Sequence, residues 1–225
     1  AAADALGNLG GETSFTLLTT ACSASNGPLR DQITDAVLRC LETLPEPQRK
    51  TLGMECYTMM DSPEVGPAAR GAALRGRILC ANPDDAARLV VEAMRGDDAF
   101  RRNAAVAAVR CHPEPSVFLR LTPQLAELPA PSHALLLAAL AERDVAEFTP
   151  AFLAAAESED PVLRGAGLAA LGRAGRPQTA VPLLALVLRL EGAEKDTAMD
   201  ALGRLPGAGN RAQEAVEKAC KEEDI

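Results

Sequence analysis

A recurring Ala-Leu-Gly motif limits the possible folds of this chain before any other feature is considered. Residues 4–7 read Asp-Ala-Leu-Gly, residues 200–203 repeat the same four letters, and residues 169–172 read Ala-Ala-Leu-Gly. Taking the Leu as a marker extends the series to Leu6, Leu38, Leu74, Val109, Leu140, Leu171 and Leu202. The intervals between successive markers are 32, 36, 35, 31, 31 and 31 residues. Such regular self-similarity is typical of proteins built from stacked structural repeats.

Each interval has room for two helices and their turns. In the sixth repeat, Pro161 suits the first turn of one helix, and Pro182 follows the start of the next helix. Proline and glycine breakers separate the other windows, which are about 12 to 16 residues long and therefore suit helices. No alternating run rich in Val, Ile, Thr or Tyr is present, so we predict no β-sheet. The sequence predicts an all-α fold, an α-α superhelix (solenoid) of about seven antiparallel helix pairs.

We predict a single domain over residues 1–225, with divergent repeats in 1–97 and regular repeats in 98–225. Charged residues in the regular half keep register with the marker. The bases are Arg102, His133, Arg164 and Lys195, seven residues before it, and the acids are Asp98, Asp160 and Glu191, eleven residues before it. On a helix, an acid four residues before a base shares its face, and the acid also suits the helix N-terminus. We interpret these seven residues as a structural ladder between repeats rather than as a binding stripe.

The sixth repeat also carries a family resemblance. Residues 160–164 read Asp-Pro-Val-Leu-Arg, residues 169–172 read Ala-Ala-Leu-Gly, and residues 180–184 read Ala-Val-Pro-Leu-Leu. This succession resembles bacterial HEAT-like repeats of the phycobilisome-lyase type, although Arg164 stands one place later than the base in their pattern. The resemblance implies a scaffold whose second helices line a concave binding face. The family that these residues resemble also includes phycobilin-attaching lyase subunits and modules appended to larger enzymes.

Charge and composition disfavour two classes of partner. The net charge is −8, aromatic residues make up 3%, and there is no Trp. Nucleic-acid binding requires clustered cations and commonly uses stacking aromatics. We therefore predict no nucleic-acid partner and disfavour the base-excising activity of one HEAT-like class. No apolar run approaches the roughly 20 residues needed to cross a bilayer, so we predict no membrane span.

The cysteines are dispersed along the chain, without the CxxC pairs of zinc ribbons or redox motifs. They are Cys22, Cys40, Cys56, Cys80, Cys111 and Cys220. Buried thiols are the favoured interpretation, and disulfides are the alternative. We therefore expect a cytoplasmic protein, or a periplasmic or secreted one if the cysteines pair. Because the helical start lacks a capping residue, we expect further repeats or another domain before residue 1, or packing of residues 1–9 against another copy.

We predict no enzyme activity, no cofactor and no metal site. The two histidines are His112 and His133, and neither belongs to a His-Glu pair or an HExxH motif. We interpret His133 as a pairing or capping member of the ladder. Gly-x-Ser-x-Gly and the phosphate-binding GxxxxGK[ST] motif are also missing from the sequence. No histidine is left to activate a Ser or Cys nucleophile.

The exposed faces of the second helices are the remaining candidates for function. We predict partner-binding residues at Tyr57, Arg88, Glu92, Arg120 and Gln124. Tyr57 stands in a methionine-rich run, which suits an adaptable binding face, with core packing as the alternative. Simple solvation is the alternative for the polar residues. We expect a non-enzymatic scaffold that binds an unidentified protein or peptide on the concave face. The alternative is an auxiliary module or a fragment of a larger enzyme or lyase complex.

Overall fold

The computed structural model describes residues 1–63 and 65–205, and this part of the chain is helical with no β-strand. The α-helices are α1 (Ala2–Leu9), α2 (Gly11–Ser23), α3 (Gly27–Thr43), α4 (Glu46–Met60), α5 (Pro67–Cys80), α6 (Pro83–Arg95), α7 (Ala99–Cys111), α8 (Ala130–Ala141), α9 (Thr149–Ala156), α10 (Pro161–Ala174), α11 (Ala180–Arg189) and α12 (Gly192–Arg204). Segments of 3₁₀-helix span Pro115–Glu127, Ala146–Phe148 and Pro177–Thr179. The all-α prediction is confirmed for these residues.

The marker positions all fall on helices, one marker to a helix. They lie on α1, α3, α5, α7, α8, α10 and α12, which we call the marker helices. Leu74, Val109, Leu140 and Leu171 are fully buried, whereas the outermost markers are half-buried. The helices that follow them, α2, α4, α6, α9 and α11, are called the second helices. The sequence register therefore identifies which helix of each pair carries the repeated motif.

The chain divides into two compact units, Ala1–Ala108 and Val109–Ile225. We call them unit 1 and unit 2, and unit 2 is described as far as Leu205. The division falls within α7, about one helix after the predicted change from divergent to regular repeats at residues 97 and 98. The predicted second helix of the seventh repeat lies outside the described residues.

Unit 1 is built by contacts between consecutive helices and between consecutive marker helices. Helix α1 packs on α3, and α3 packs on α5. The second helices α2 and α4 each pack on the marker helices before and after them in sequence. Helix α2 contacts α1 and α3, and α4 contacts α3 and α5. Its core includes Leu18, Val37, Leu41 and Cys40, all buried. Stacking neighbours in this way removes from water the apolar faces that one pair could not bury alone.

The glycine of the repeated motif allows close packing of marker helices. A Cβ added at Gly7 would lie 2.8 Å from the carbonyl oxygen of Ala36, on the facing helix α3. A Cβ added at Gly172 would lie 3.1 Å from the Cα of Ala201, on α12. Both distances are shorter than ordinary van der Waals contact, so a side chain at either position would push the helices apart. At Gly7 and Gly172 the glycine of the motif therefore permits close approach of two marker helices.

Unit 2 is centred on α10, which contacts α8, α9 and α12, while α11 packs on α12. Its largest buried side chains include Phe148 and Phe152, whose ring centres are 6.5 Å apart. Residues 115–127 occupy the place of a second helix but form a 3₁₀-helix. Pro123 lies inside this segment, and its missing N–H removes one backbone hydrogen bond from the helix. The predicted helix is thus present in a tighter form.

Candidate interaction surface

Tyr57 was predicted to line the partner-binding face, and the structure corrects that placement. Its side chain is 5% exposed and lies in the core of unit 1, on the inner side of α4. Met60 is buried beside it in the same cluster, whereas Met59 points to solvent. The alternative interpretation of the methionine-rich run, core packing, therefore describes Tyr57 and Met60.

Two glycines create the space that the Tyr57 ring occupies. An added Cβ at Gly76 of α5 would lie 2.4 to 2.6 Å from three ring carbons. An added Cβ at Gly53 of α4 would lie 3.0 Å from the Cε2 of the same ring. Burial raises the pKa of the Tyr57 hydroxyl to about 12. The Tyr57 ring therefore belongs to the core, in a space that exists because residues 53 and 76 are glycines.

Arg88 and Glu92 lie on the exposed face of α6 in unit 1. The guanidinium of Arg88 donates to Asp85 Oδ1 and to Glu92 Oε1, each at 2.9 Å. The two carboxylates raise the pKa of Arg88, and Arg88 lowers the pKa of Asp85. The polar atoms on this face are therefore engaged along the helix itself, three and four residues apart.

Arg120 and Gln124 belong to the 3₁₀-helix Pro115–Glu127 in unit 2. Arg120 is exposed and Gln124 is half-buried. The Gln124 side-chain amide donates to the backbone oxygen of Arg120 at 3.3 Å. These residues lie in a different unit from Arg88 and Glu92.

Two acids of the ladder cap helices instead of pairing with the base four residues later. Asp98 Oδ1 accepts from the N–H groups of Phe100 and Arg101 at 2.9 and 3.2 Å. Asp160 Oδ1 accepts in the same way from the second and third residues of α10, at 2.8 and 3.2 Å. Arg102 donates to the carbonyl oxygen of Gly96 at 2.7 Å. The predicted i to i+4 pairs are wrong here because the carboxylates satisfy first-turn N–H groups.

Among the ladder residues, Arg164 is the one whose side chain bonds to another described marker helix of unit 2. Its guanidinium binds both carboxylate oxygens of Glu194 on α12, at 3.1 and 2.7 Å. It also donates to the carbonyl oxygens of residues 158 and 159. Glu191 and Lys195 are both exposed, and within the described part of the chain no ion pair joins them. The acid that holds Arg164 is thus Glu194, outside the predicted pattern.

His133 is buried, unlike the bases at the equivalent positions of the other repeats. Its Nδ1 atom is inaccessible and has no hydrogen-bond partner within the described residues. Burial lowers the pKa of the imidazole below its usual 6.5. The predicted pairing or capping role of this side chain is therefore wrong. The neutral ring serves as core packing within α8.

A buried acid that the sequence did not single out joins three helices of unit 1. Asp61 follows α4, and its side chain is 7% exposed. It accepts from Arg77 on α5 at 2.6 Å, and from Arg101 on α7. Arg70 on α5 pairs with Asp98 at 3.5 Å. Sequence spacing gives no sign of these pairs, because their partners lie in different helices.

The second helix α11 exposes apolar side chains along one face, a surface that sequence reasoning missed. Val181 is 61% exposed and Leu188 is 74% exposed. Between them Ala185 is exposed and Leu184 is half-buried. We call these four residues the α11 ridge.

The opposite face of α11 is buried, so the helix is apolar on both sides. A helix that is apolar all round is typical of a protein interior. The sequence of α11 therefore does not show which of its faces is exposed.

The described residues hold five cysteines, and all are thiols rather than disulfides. Cys40 and Cys56 are buried, Cys22 and Cys80 are half-buried, and Cys111 is exposed. Burial raises the pKa of Cys56 to about 12, which leaves the thiol protonated and weakly nucleophilic. Cys220 lies outside the described residues.

One cleft of unit 1 is large enough for a small ligand. A cleft of about 510 Å³ in unit 1 is lined by Arg30 and Arg70 but also by Asp31. Its mixed charge favours neither an anion nor a cation. Residues 1–63 and 65–205 contain no group of His, Cys, Asp and Glu side chains placed to hold a metal ion. None of their helices combines the length and the apolar character that crossing a membrane requires.

The described chain thus defines an all-α protein of packed helix pairs, with an exposed apolar ridge in unit 2. No protein-family model matches the chain, and searches of curated proteins and of solved structures find no similar protein.

Proposed function

We propose that this chain is a non-enzymatic scaffold that binds a partner protein, with its helix pairs stacked as in a HEAT-like α-α superhelix. The stacking is supported by the contacts between successive marker helices within each unit, α1 to α3 to α5 and α8 to α10 to α12. Repeats of this kind present rows of second helices on one side, which gives a surface suited to an extended partner.

The α11 ridge is the observation that carries the binding role. Large apolar side chains that stay exposed cost free energy in a monomer, and contiguous ones mark interaction sites. Val181 and Leu188 are seven residues apart, so they lie on one face about 10 Å from each other along the axis. Leu184 and Ala185 fill the interval, which makes the ridge continuous.

The partner that fits this ridge is an amphipathic helix of another protein. Helical partners bind through apolar residues spaced three, four and seven apart, and the ridge offers the same spacing. The only charged residue of α11 is Arg189, which is exposed at the C-terminal end of the helix. A partner helix with an acidic residue at the matching end would therefore gain a favourable electrostatic contact.

Selection from a helical-peptide display library tests the proposal with the full chain as target. Peptides that survive selection are synthesised and titrated against wild type and Leu188→Glu by fluorescence anisotropy. We expect peptides with apolar residues at helical spacing. We expect Leu188→Glu to weaken their binding at least tenfold, because it replaces the most exposed apolar side chain of the ridge by a charge that the contact would have to desolvate.

The matched control is Met199→Glu, which makes the same kind of change at an exposed apolar residue of the marker helix α12. It should leave peptide affinity unchanged. A selection that yields no binding peptide contradicts the proposal. So does a peptide set that tolerates Leu188→Glu or is lost equally in the control.

A further inference from the structure

The glycine that follows the marker Leu is covered in two repeats and uncovered in the third. Gly7 and Gly172 face the next marker helix so closely that an added Cβ would lie only 2.8 and 3.1 Å from its nearest atoms. Gly203 of α12 stands at the same place in the seventh repeat, yet it is exposed, and an added Cβ would meet no described atom within 4 Å. Met199, one turn earlier on the same side of α12, is 53% exposed. We call Met199 and Gly203 the α12 end face.

Marker helices receive these glycines on an alanine. The residues that Gly7 and Gly172 approach are Ala36 and Ala201, which stand two residues and one residue before their markers. The alanines at this place in the second to seventh repeats are all at most 3% exposed: Ala36, Ala73, Ala108, Ala139, Ala170 and Ala201. The equivalent residue of the first repeat, Ala5 on α1, is exposed.

The exposed side of α1 continues beyond this alanine. Leu9 lies one turn after Ala5 on the same side of the helix and is 78% exposed. We call Ala5 and Leu9 the α1 end face. Within the described residues, α1 therefore exposes the surface that on later marker helices is buried, and α12 exposes the surface on which Gly7 and Gly172 receive a neighbour.

We propose that copies of this chain associate end to end, with the α12 end face of one copy packed on the α1 end face of the next. The repeats themselves identify the occupant, because each open face lacks the kind of neighbour that the other face supplies. Gly203 approaches Ala5 of the next copy as Gly172 approaches Ala201 within a copy. Stacked-repeat proteins stay soluble and separate when their terminal repeats have a polar outer face, whereas Leu9 and Met199 are exposed and apolar here.

The proposed contact joins two different surfaces, so it is heterologous. Each copy that makes one contact keeps its other end face unused, and association therefore continues beyond the dimer. The contact lies between marker helices, whereas the α11 ridge lies on a second helix, so the two surfaces can be tested separately. An arginine at Ala5 or Gly203 should block the contact, because even a Cβ at the equivalent Gly172 would lie 3.1 Å from the facing helix.

Sedimentation velocity of the full chain, from about 1 μM to about 1 mM, tests the proposal. Wild type should form a concentration-dependent series of oligomers, and Ala5→Arg and Gly203→Arg should each reduce the association constant at least tenfold. Both positions are exposed, so each variant should keep the wild-type helix content, which circular dichroism measures. Ala185→Arg is the matched control, because Ala185 is an exposed alanine of the α11 ridge. It should associate as wild type does.

A mixture of the two end variants distinguishes end-to-end contact from pairing of like faces. Ala5→Arg keeps its α12 end face and Gly203→Arg keeps its α1 end face, so an equimolar mixture should form dimers and nothing larger. The proposal is overturned if wild type stays monomeric up to about 1 mM, a concentration at which even a weak complex is populated. It is also overturned if either variant associates as wild type does, if Ala185→Arg abolishes association, or if the mixture forms no dimer.

Discussion

Replacing Gly76 by Ala should destabilise unit 1, although alanine is the better helix former. In an open helix position, Gly→Ala typically stabilises a protein by about 0.5–1 kcal/mol. At Gly76 the new Cβ would lie 2.4 Å from the nearest carbon of the Tyr57 ring, where ordinary contact begins at 3.4 Å. The ring would therefore have to move by about 1 Å to restore ordinary contact. A Cβ added at Gly53 would lie only 3.0 Å from the same buried ring, so the ring has little room to move toward α4.

Overpacking of this kind costs about 1–3 kcal/mol, so we expect a net loss of about 1 kcal/mol in the free energy of unfolding. The same change in a Tyr57→Ala background should instead be stabilising, because the obstructing ring is gone. Urea unfolding of the four proteins in this cycle, followed by circular dichroism, measures the change of sign. In the two proteins that keep Tyr57, fluorescence reports unit 1 directly, because the chain has one Tyr and no Trp.

Gly165→Ala provides the control for this cycle. Gly165 lies in α10, and an added Cβ there would meet no atom within 4 Å. This variant should be more stable than wild type by the ordinary helix-propensity gain. The reasoning is refuted if Gly76→Ala stabilises the protein, or if it destabilises the Tyr57→Ala variant by the same amount.

Three other predictions concern ionisable side chains that are buried or that bridge helices. Because burial lowers the pKa of His133, unit 2 should lose stability as pH falls below about 6.5, and thermal unfolding of His133→Leu should show a shallower pH dependence over that range. Glu194→Gln should cost about 1 kcal/mol in urea unfolding because it breaks the bidentate pair with Arg164, whereas Lys195→Gln should change stability by less than about 0.5 kcal/mol. Asp61→Ala should cost about 3 kcal/mol by leaving two arginines without their shared acid, and equal stability of this variant and wild type would disprove that role.

Helix content and repeat register could be predicted from the sequence because both depend on local spacing. The marker position recurs on one helix of each pair. In two of the three repeats where Gly follows the marker Leu, Gly7 and Gly172 show why that residue is small. The predicted second helix of the fourth repeat is a 3₁₀-helix, and Pro123 lies inside it. Proline spacing indicates helix ends in the sequence, whereas Pro123 lies inside a helical segment.

Side-chain roles could not be predicted as well, because they depend on residues far apart in the chain. The sequence predicts Tyr57 on a binding surface, whereas the structure buries its ring in the space that Gly53 and Gly76 leave. Arg164 looked like the partner of an acid four residues before it, yet it binds Glu194, thirty residues later. The apolar run of α11 gives no sign of which side faces solvent, since both sides carry the same kind of residue.

Hydrogen–deuterium exchange with mass spectrometry tests the proposed scaffold role most directly. Exchange of the full chain is compared with and without a saturating amount of a peptide obtained by selection. The account predicts slower exchange in Ala180–Arg189, because a helix seated on the α11 ridge stabilises the backbone beneath it. Unchanged exchange in that segment, with protection confined to another helix such as Pro83–Arg95, would contradict the assignment of the binding surface.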